Sequence, residues 1–142
     1  MPMIEITLPE ATFTKEQEAR LAEDVTDALL RLEGVDTNPK ARMLSWVYFH
    51  HHPNADLYIG GHAAHKAHYR FDVTVFENTL PDSHKERLTQ ALTQLVLQLE
   101  GTDDNRLNAA RVWVLFHEVP DGHWGGAGQI YRLADLMKMM QR

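Results

Sequence analysis

Apolar and polar residues alternate along the chain in two rhythms, and the rhythms occur twice in the same order. Ile4, Ile6 and Leu8 repeat with period two, the spacing that puts every second side chain on one face of a strand. Leu21, Val25, Ala28, Leu29 and Leu32 then recur at helical spacing, in a stretch that opens on Thr14 with Gln17 three residues on. That pair is a capping box, in which a threonine oxygen and a glutamine side chain satisfy each other's exposed backbone donors. The spacing predicts a helix from there to Gly34, whose access to left-handed backbone ends it. The next strand, about Met43 to His51, puts Val47 and Phe49 on one face and Trp46, Tyr48 and His50 on the other.

The second half repeats this plan. A strand from Tyr69 to Phe76 precedes a helix that starts near Pro81, carries Leu88, Leu92, Leu95, Val96 and Leu99, and stops at Gly101. A strand from Ala110 to Val119 follows, then the turn Pro120-Asp121-Gly122. Sliding the chain on itself by 67 positions, the distance from Trp46 to Trp113, aligns the halves without a gap. Leu32-Glu33-Gly34 falls on Leu99-Glu100-Gly101, Trp46-Val47 on Trp113-Val114, Phe49-His50 on Phe116-His117, Pro53 on Pro120 and Gly61 on Gly128. The fold class predicted is α/β (α+β): tandem duplicated β-α-β units forming a four-stranded sheet with two helices on one face. A helix between two strands is a crossover, so the strands of each unit run parallel. We read residues 1–142 as one domain of two repeats, about 2–61 and 69–128, joined by the small, polar linker Gly60 to His68 and ending in a tail, 129–142. The sheet's other face keeps Trp and Tyr side chains, which predicts self-association.

Composition narrows the function. The 142 residues carry 14 Lys and Arg against 20 Asp and Glu, a net charge of −6, with the basic residues scattered. Neither nucleic acid nor an anionic membrane surface is an expected partner. Cysteine is absent, which removes disulfides, thiolate catalysis and thiolate metal sites, and no apolar run has the length of a membrane span or signal peptide. A cytoplasmic location is expected.

One residue carries distinctive chemistry. Pro2 follows the initiator methionine, and removal of Met1 would make its nitrogen a secondary amine. An α-amino group titrates near pH ~8, and burial disfavours its charged form, so a proline amine in an apolar pocket can act as a base at neutral pH. The alternative is that Pro2 only favours methionine removal and has no chemical role.

A proline at position 2, a doubled β-α-β unit and the tail Gly122-His123-Trp124-Gly125-Gly126-Ala127-Gly128 together resemble the tautomerase superfamily, whose members use an amino-terminal proline. The tail is similar to the glycine-rich hairpin of the 4-oxalocrotonate tautomerases, with Trp124 where that family places an aromatic wall of the active site. Thr26-Asp27-Ala28 and Asp56-Leu57-Tyr58-Ile59-Gly60-Gly61 are similar to the cis-3-chloroacrylic acid dehalogenases. The resemblance implies that Pro2 is general base and acid in keto–enol tautomerisation of a small carbonyl or 2-oxo acid compound, without a cofactor. It also implies a homotrimer of fused chains with one proline site each, because the repeat partner of Pro2 is Tyr69, in mid-chain. Hydration or decarboxylation of an unsaturated or β-keto acid is an alternative reaction; a non-catalytic trimeric scaffold that binds small molecules is the alternative outside enzymes.

The departures from the family are specific. Its first-strand arginine falls on Thr12 and Thr79, and its second-strand arginine on Trp46 and Trp113. The dehalogenase's helix histidine falls on Leu29 and its tyrosine on Leu115. Without a guanidinium that grips a carboxylate at two points, a dicarboxylate substrate is disfavoured. Arg111, Arg70 and Arg42, beside strand starts, are the candidate replacements. Arg111 ranks first because it shares strand parity with Trp113. Tyr48, Trp46, Trp113 and Trp124 complete the candidate substrate-binding residues, with interface packing the alternative for the strand aromatics. No metal is expected: His50, His51 and His52 alternate faces if they lie in a strand, while His62, His65 and His68 fall in the linker.

Overall fold

The computed structural model describes residues 2–141; removal of Met1 therefore concerns a residue outside the described ones. The first unit comprises β1 (Met3–Pro9), α1 (Lys15–Glu33), the short helix α2 (Pro39–Met43) and β2 (Trp46–His52). A 3-10 turn at Asn54–Asp56 leads to a small hairpin, β3 (Tyr58–Ile59) and β4 (His62–Ala63). The second unit is β5 (Tyr69–Phe76), α3 (Asp82–Glu100), α4 (Arg106–Ala109) and β6 (Val112–Val119), followed by β7 (Trp124–Gly126), β8 (Gln129–Tyr131) and α5 (Leu133–Met140).

The main sheet has the order β2-β1-β5-β6. Strands within each unit are parallel, as a helical crossover requires, and the units join through the antiparallel pair β1–β5. Helices α1 and α3 pack against each other over one face. The core lies between them and the sheet: Ile4, Ile6, Leu8, Phe71 and Val73 meet Leu21, Val25 and Leu29 of α1 and Leu88, Leu92 and Val96 of α3, all at 2% exposure or less. The predicted duplicated β-α-β fold is thus observed.

Local chemistry accounts for the element ends. Thr14 Oγ1 accepts from the Gln17 amide at 3.1 Å while Gln17 Oε1 accepts from the Thr14 amide at 2.9 Å, closing the capping box. Gly34 and Gly101 terminate the two long helices with φ of 74° and 75°. The turns after β1 and β5 are also one design used twice: Ala11 and Asn78 take left-handed φ of 60° and 63°, and Thr12 and Thr79 donate to the carbonyls of Pro9 and Phe76, each at 2.7 Å.

Four boundaries differ from the sequence reading. Met43 belongs to α2, because the Asn38 side chain caps the amides of Lys40 and Ala41 and Pro39 fits the first turn, so β2 starts only at Trp46. Ala110 ends α4, capped by Asn105, and β6 starts at Val112. The linker holds β4, paired with β3 just before it, and the tail 129–142 holds β8, paired with β7 just before it, and α5. No helix among the described residues is long and apolar enough to cross a membrane. Replacing Thr14 by Ala removes the cap of α1 and is expected to lower the unfolding free energy by about 1 kcal/mol in urea melts followed by circular dichroism, with an unchanged slope.

Candidate functional site

Pro2 is buried at the start of β1, where its carbonyl accepts from the Trp46 amide at 3.1 Å and ties the starts of β1 and β2 together. Met3 pairs with Thr74, so the antiparallel register brings Pro2 level with Val75 at the end of β5. A cavity of about 300 Å³ opens at this end of the sheet, with Val75, Phe76 and Thr79 on one side, Glu33 on another, and Leu136 and Met140 of α5 closing it. The lining is mainly apolar. Trp124 stacks on Phe76 with ring centroids 4.9 Å apart, so the tryptophan singled out in the sequence backs a wall residue of this cavity. The β7–β8 hairpin that carries Trp124 needs glycine at 126, where a Cβ would lie 2.1 Å from the Tyr131 ring. Burial pushes the Glu33 carboxyl above the usual carboxylate range, against the pull of the positive charge at the amino terminus.

The opposite end of the sheet is built from the repeat equivalents. Tyr69 opens β5, and its hydroxyl donates to Glu100 Oε2 at 2.6 Å. Arg111 grips both oxygens of Glu100, Nη1 to Oε2 at 2.7 Å and Nη2 to Oε1 at 2.6 Å, and Nη1 also donates to the Ala67 carbonyl at 2.7 Å. Burial alone would raise Glu100, but the hydrogen bonds from Arg111 outweigh it and hold the carboxyl below its ordinary range. Burial and the neighbouring Glu100 push the Tyr69 hydroxyl far up, so it remains a donor. A cavity of about 230 Å³ lies here, bordered by Arg70, Arg111 and Trp113.

The third feature is the face of the sheet that no helix covers. Register aligns its side chains in three rows: Trp46, Met3, Thr74 and His117; Tyr48, Glu5, Asp72 and Leu115; His50, Thr7, Arg70 and Trp113. Trp46, Tyr48 and Trp113 are 58%, 45% and 69% exposed. His50 bonds to Glu5 at 2.9 Å and His117 to Asp72 at 2.7 Å. Burial raises Asp72, yet bonds from His117 and Arg70 outweigh it and leave its carboxyl low.

These placements sort the candidates. Pro2 and Trp124 share one end of the sheet. Arg70 and Arg111 stand at the other, beside Tyr69, which is six residues along β5 from the Val75 level with Pro2, so at about 3.3 Å per residue they lie roughly 20 Å from Pro2 within the chain. Arg70 donates from Nε to Asp72 at 2.9 Å. Arg111 precedes β6 and is 8% exposed while Trp113 faces outward, so the parity argument that joined them does not apply. Arg42 pairs with Asp27 at 2.7 Å. Of the three consecutive histidines, His50 faces the uncovered side, His51 bonds to buried Glu18 of α1, and His52 Nδ1 faces the Pro53 carbonyl. Sequence reasoning missed Glu33, although its alignment with Glu100 marked it, and missed α5, which lacks a repeat partner.

The sequence profile of a family described as "Putative oxalocrotonate tautomerase enzyme" matches residues 1–128. No curated protein sequence matches the chain. Among solved structures, Pt0534 inactivated by 2-oxo-3-pentynoate is similar at 21% identity and a TM-score of 0.74, over 95% of this chain and 98% of that one. A wild-type fused 4-OT, Q0, a symmetric trimer, is similar at 19% identity and a TM-score of 0.74, over 94% and 98%. N1, a member of the cis-3-chloroacrylic acid dehalogenase family, is similar at 18% identity and a TM-score of 0.72, over 98% of each chain. At these identities the likenesses concern the fold.

Arg111→Ala leaves Glu100 buried without its guanidinium and is expected to cost about 3–5 kcal/mol of stability at neutral pH. Because the Glu100 carboxyl is depressed in the folded protein, its contribution is present above the unfolded carboxylate range and lost as pH falls through the folded value. Urea titrations should therefore show the gap between wild type and Arg111→Ala narrowing in acid.

Proposed function

The chain belongs to the tautomerase superfamily as a fused, double-unit member of the oxalocrotonate tautomerase type, and on that premise we propose that Pro2, freed by removal of Met1, is general base and acid in the tautomerisation of a small carbonyl compound. The observation that supports this most is the position of Pro2, buried at the start of β1 and level with Val75, which lines a mainly apolar cavity. Apolar surroundings disfavour the charged amine, which leaves a lone pair to take the proton from carbon next to a carbonyl. The resulting enol or enolate is reprotonated at a different atom by the same amine, now charged, so the base is regenerated in each cycle. Phe76, backed by Trp124, supplies a flat wall for an unsaturated substrate.

We assign the substrate to enols and 2-oxo acids with a single carboxylate. Thr12 and Thr79 spend their hydroxyls on strand-end carbonyls, and neither they nor Trp46 and Trp113 can replace the guanidinium groups that a diacid would need. Arg70 and Arg111 would meet a substrate at Pro2 only across a boundary between chains. The working form is assigned as a homotrimer with its sheet faces turned to one another and the two repeats acting as one domain, in the cytoplasm. The exposed Trp46, Tyr48 and Trp113 support this assembly, since each Å² of apolar surface they bury contributes roughly 25 cal/mol.

Two measurements test the proposal. Ketonisation of phenylenolpyruvate should be detectable, should exceed kcat/KM for 2-hydroxymuconate, and should fall by about 10²- to 10⁴-fold in Pro2→Ala. Equal activity in Pro2→Ala, or no turnover of any enol or 2-oxo acid tried, would instead support a binding scaffold. Light scattering at micromolar concentration should give three times the chain mass, and Trp113→Glu should reduce it; a stable wild-type monomer contradicts the assembly.

A further inference from the structure

The two units keep three equivalent positions but fill them with different chemistry. In the second unit these are Tyr69, Glu100 and Arg111, a closed set in which the carboxylate accepts from both other side chains. Sixty-seven residues earlier stand Pro2, Glu33 and Leu44. The carboxylate is present in both, an isobutyl group stands in place of the guanidinium, and Pro2 stands in place of the tyrosine. Glu33 is half-buried at the end of α1, lines the cavity together with Val75 and Phe76, and has no hydrogen bond or ion pair with any described residue. A desolvated carboxylate without a partner is costly, and a cation nearby relieves that cost.

We propose that Glu33 is a positioning residue whose carboxylate is the charge partner of the free Pro2 amine, standing to it as Glu100 stands to Tyr69. This rests on the reading above that Pro2 carries a free amine. Burial raises the Glu33 carboxyl, the cost that a cation beside it relieves. Other charged groups on neighbouring elements are Asp36 after α1, Lys40 on α2, Glu77 after β5, His123 and Arg132 in the tail, and Asp135 and Lys138 on α5; none of them lines the cavity. Lys40 Nζ donates to the Met139 carbonyl. Glu33 thereby offsets the apolar walls: they favour the neutral base, Glu33 the protonated acid, and the balance sets the pH range in which Pro2 works in each role.

The test reads the amine directly. Reductive methylation with formaldehyde and cyanoborohydride, followed across pH by mass spectrometry of the amino-terminal peptide, reports the unprotonated fraction of Pro2 without any substrate. Glu33→Gln removes the charge that stabilises the protonated amine, so its midpoint should fall by about one pH unit or more, a tenfold gain in unprotonated amine at acidic pH. Glu33→Asp should fall part of the way, and it carries the test alone if Glu33→Gln does not fold. Glu16→Gln, the same charge change at the exposed far end of α1, should leave the midpoint in place. An unmoved midpoint in the Glu33 variants, an equal shift in Glu16→Gln, or a chain that retains Met1 overturns the inference. The two proposals separate cleanly: a methylation shift without enol turnover in any variant overturns the tautomerase reading alone, and Pro2-dependent turnover with no shift overturns only the role of Glu33.

Discussion

The antiparallel pairing of β1 with β5 is the constraint on which the rest of the molecule depends. Ile4 opposes Val73 and Ile6 opposes Phe71, and all four are at 2% exposure or less. A slip of β1 by one residue against β5 would turn Glu5 into the core and Ile4 and Ile6 toward solvent, so the register is strongly fixed. The direction of the pairing matters as much as its register. Two identical units joined antiparallel are related by a local twofold, and every equivalent pair of residues is sent to opposite ends of the sheet. Pro2 and Tyr69, both strand-opening residues, are therefore separated by the length of a strand.

That separation lets one framework carry two kinds of end. Both turns that follow the first strand of a unit use a left-handed residue and a threonine that bonds back to the strand, and both long helices stop at a left-handed glycine. At the Tyr69 end the duplicated carboxylate is locked by Arg111 and the phenol, an arrangement with no spare acceptor that ties α3, β5 and β6 together. At the Pro2 end the lock is missing. An apolar cavity, a carboxylate with no partner among the described residues and an aromatic stack on Phe76 stand there instead, closed by α5, which has no counterpart in the other unit. The unit without the lock is the one that begins with a proline.

The sequence made the framework legible because period-two and helical spacing, a capping box and stop glycines are local signals that the gapless repeat reinforces. Trp46 and Trp113, Tyr48, Val47 and Phe49 all face as strand parity requires. What parity could not show is where a strand begins. Met43 and Arg111 were assigned to strands that start later, because Asn38 and Asn105 cap short helical segments whose signal is a single side chain. Arg111 consequently turned inward to Glu100. Its partner lies 11 residues away in sequence, on a helix end, and only folding juxtaposes the two. Glu33 was legible in principle: its alignment with Glu100 was visible, but its lack of an arginine became meaningful only once the Glu100 set had been seen in space.

A free amine at Pro2 is the claim that joins fold, family and chemistry, and its reactivity can be measured without knowing the natural substrate. An acetylenic 2-oxo acid such as 2-oxo-3-pentynoate adds to an unprotonated secondary amine and not to an amide nitrogen. Mass spectrometry after brief treatment should find a chain lacking Met1 and carrying one adduct, located on the peptide that begins at Pro2 and suppressed at acidic pH. A chain that retains Met1, or an adduct confined to histidine or lysine side chains, would contradict the account.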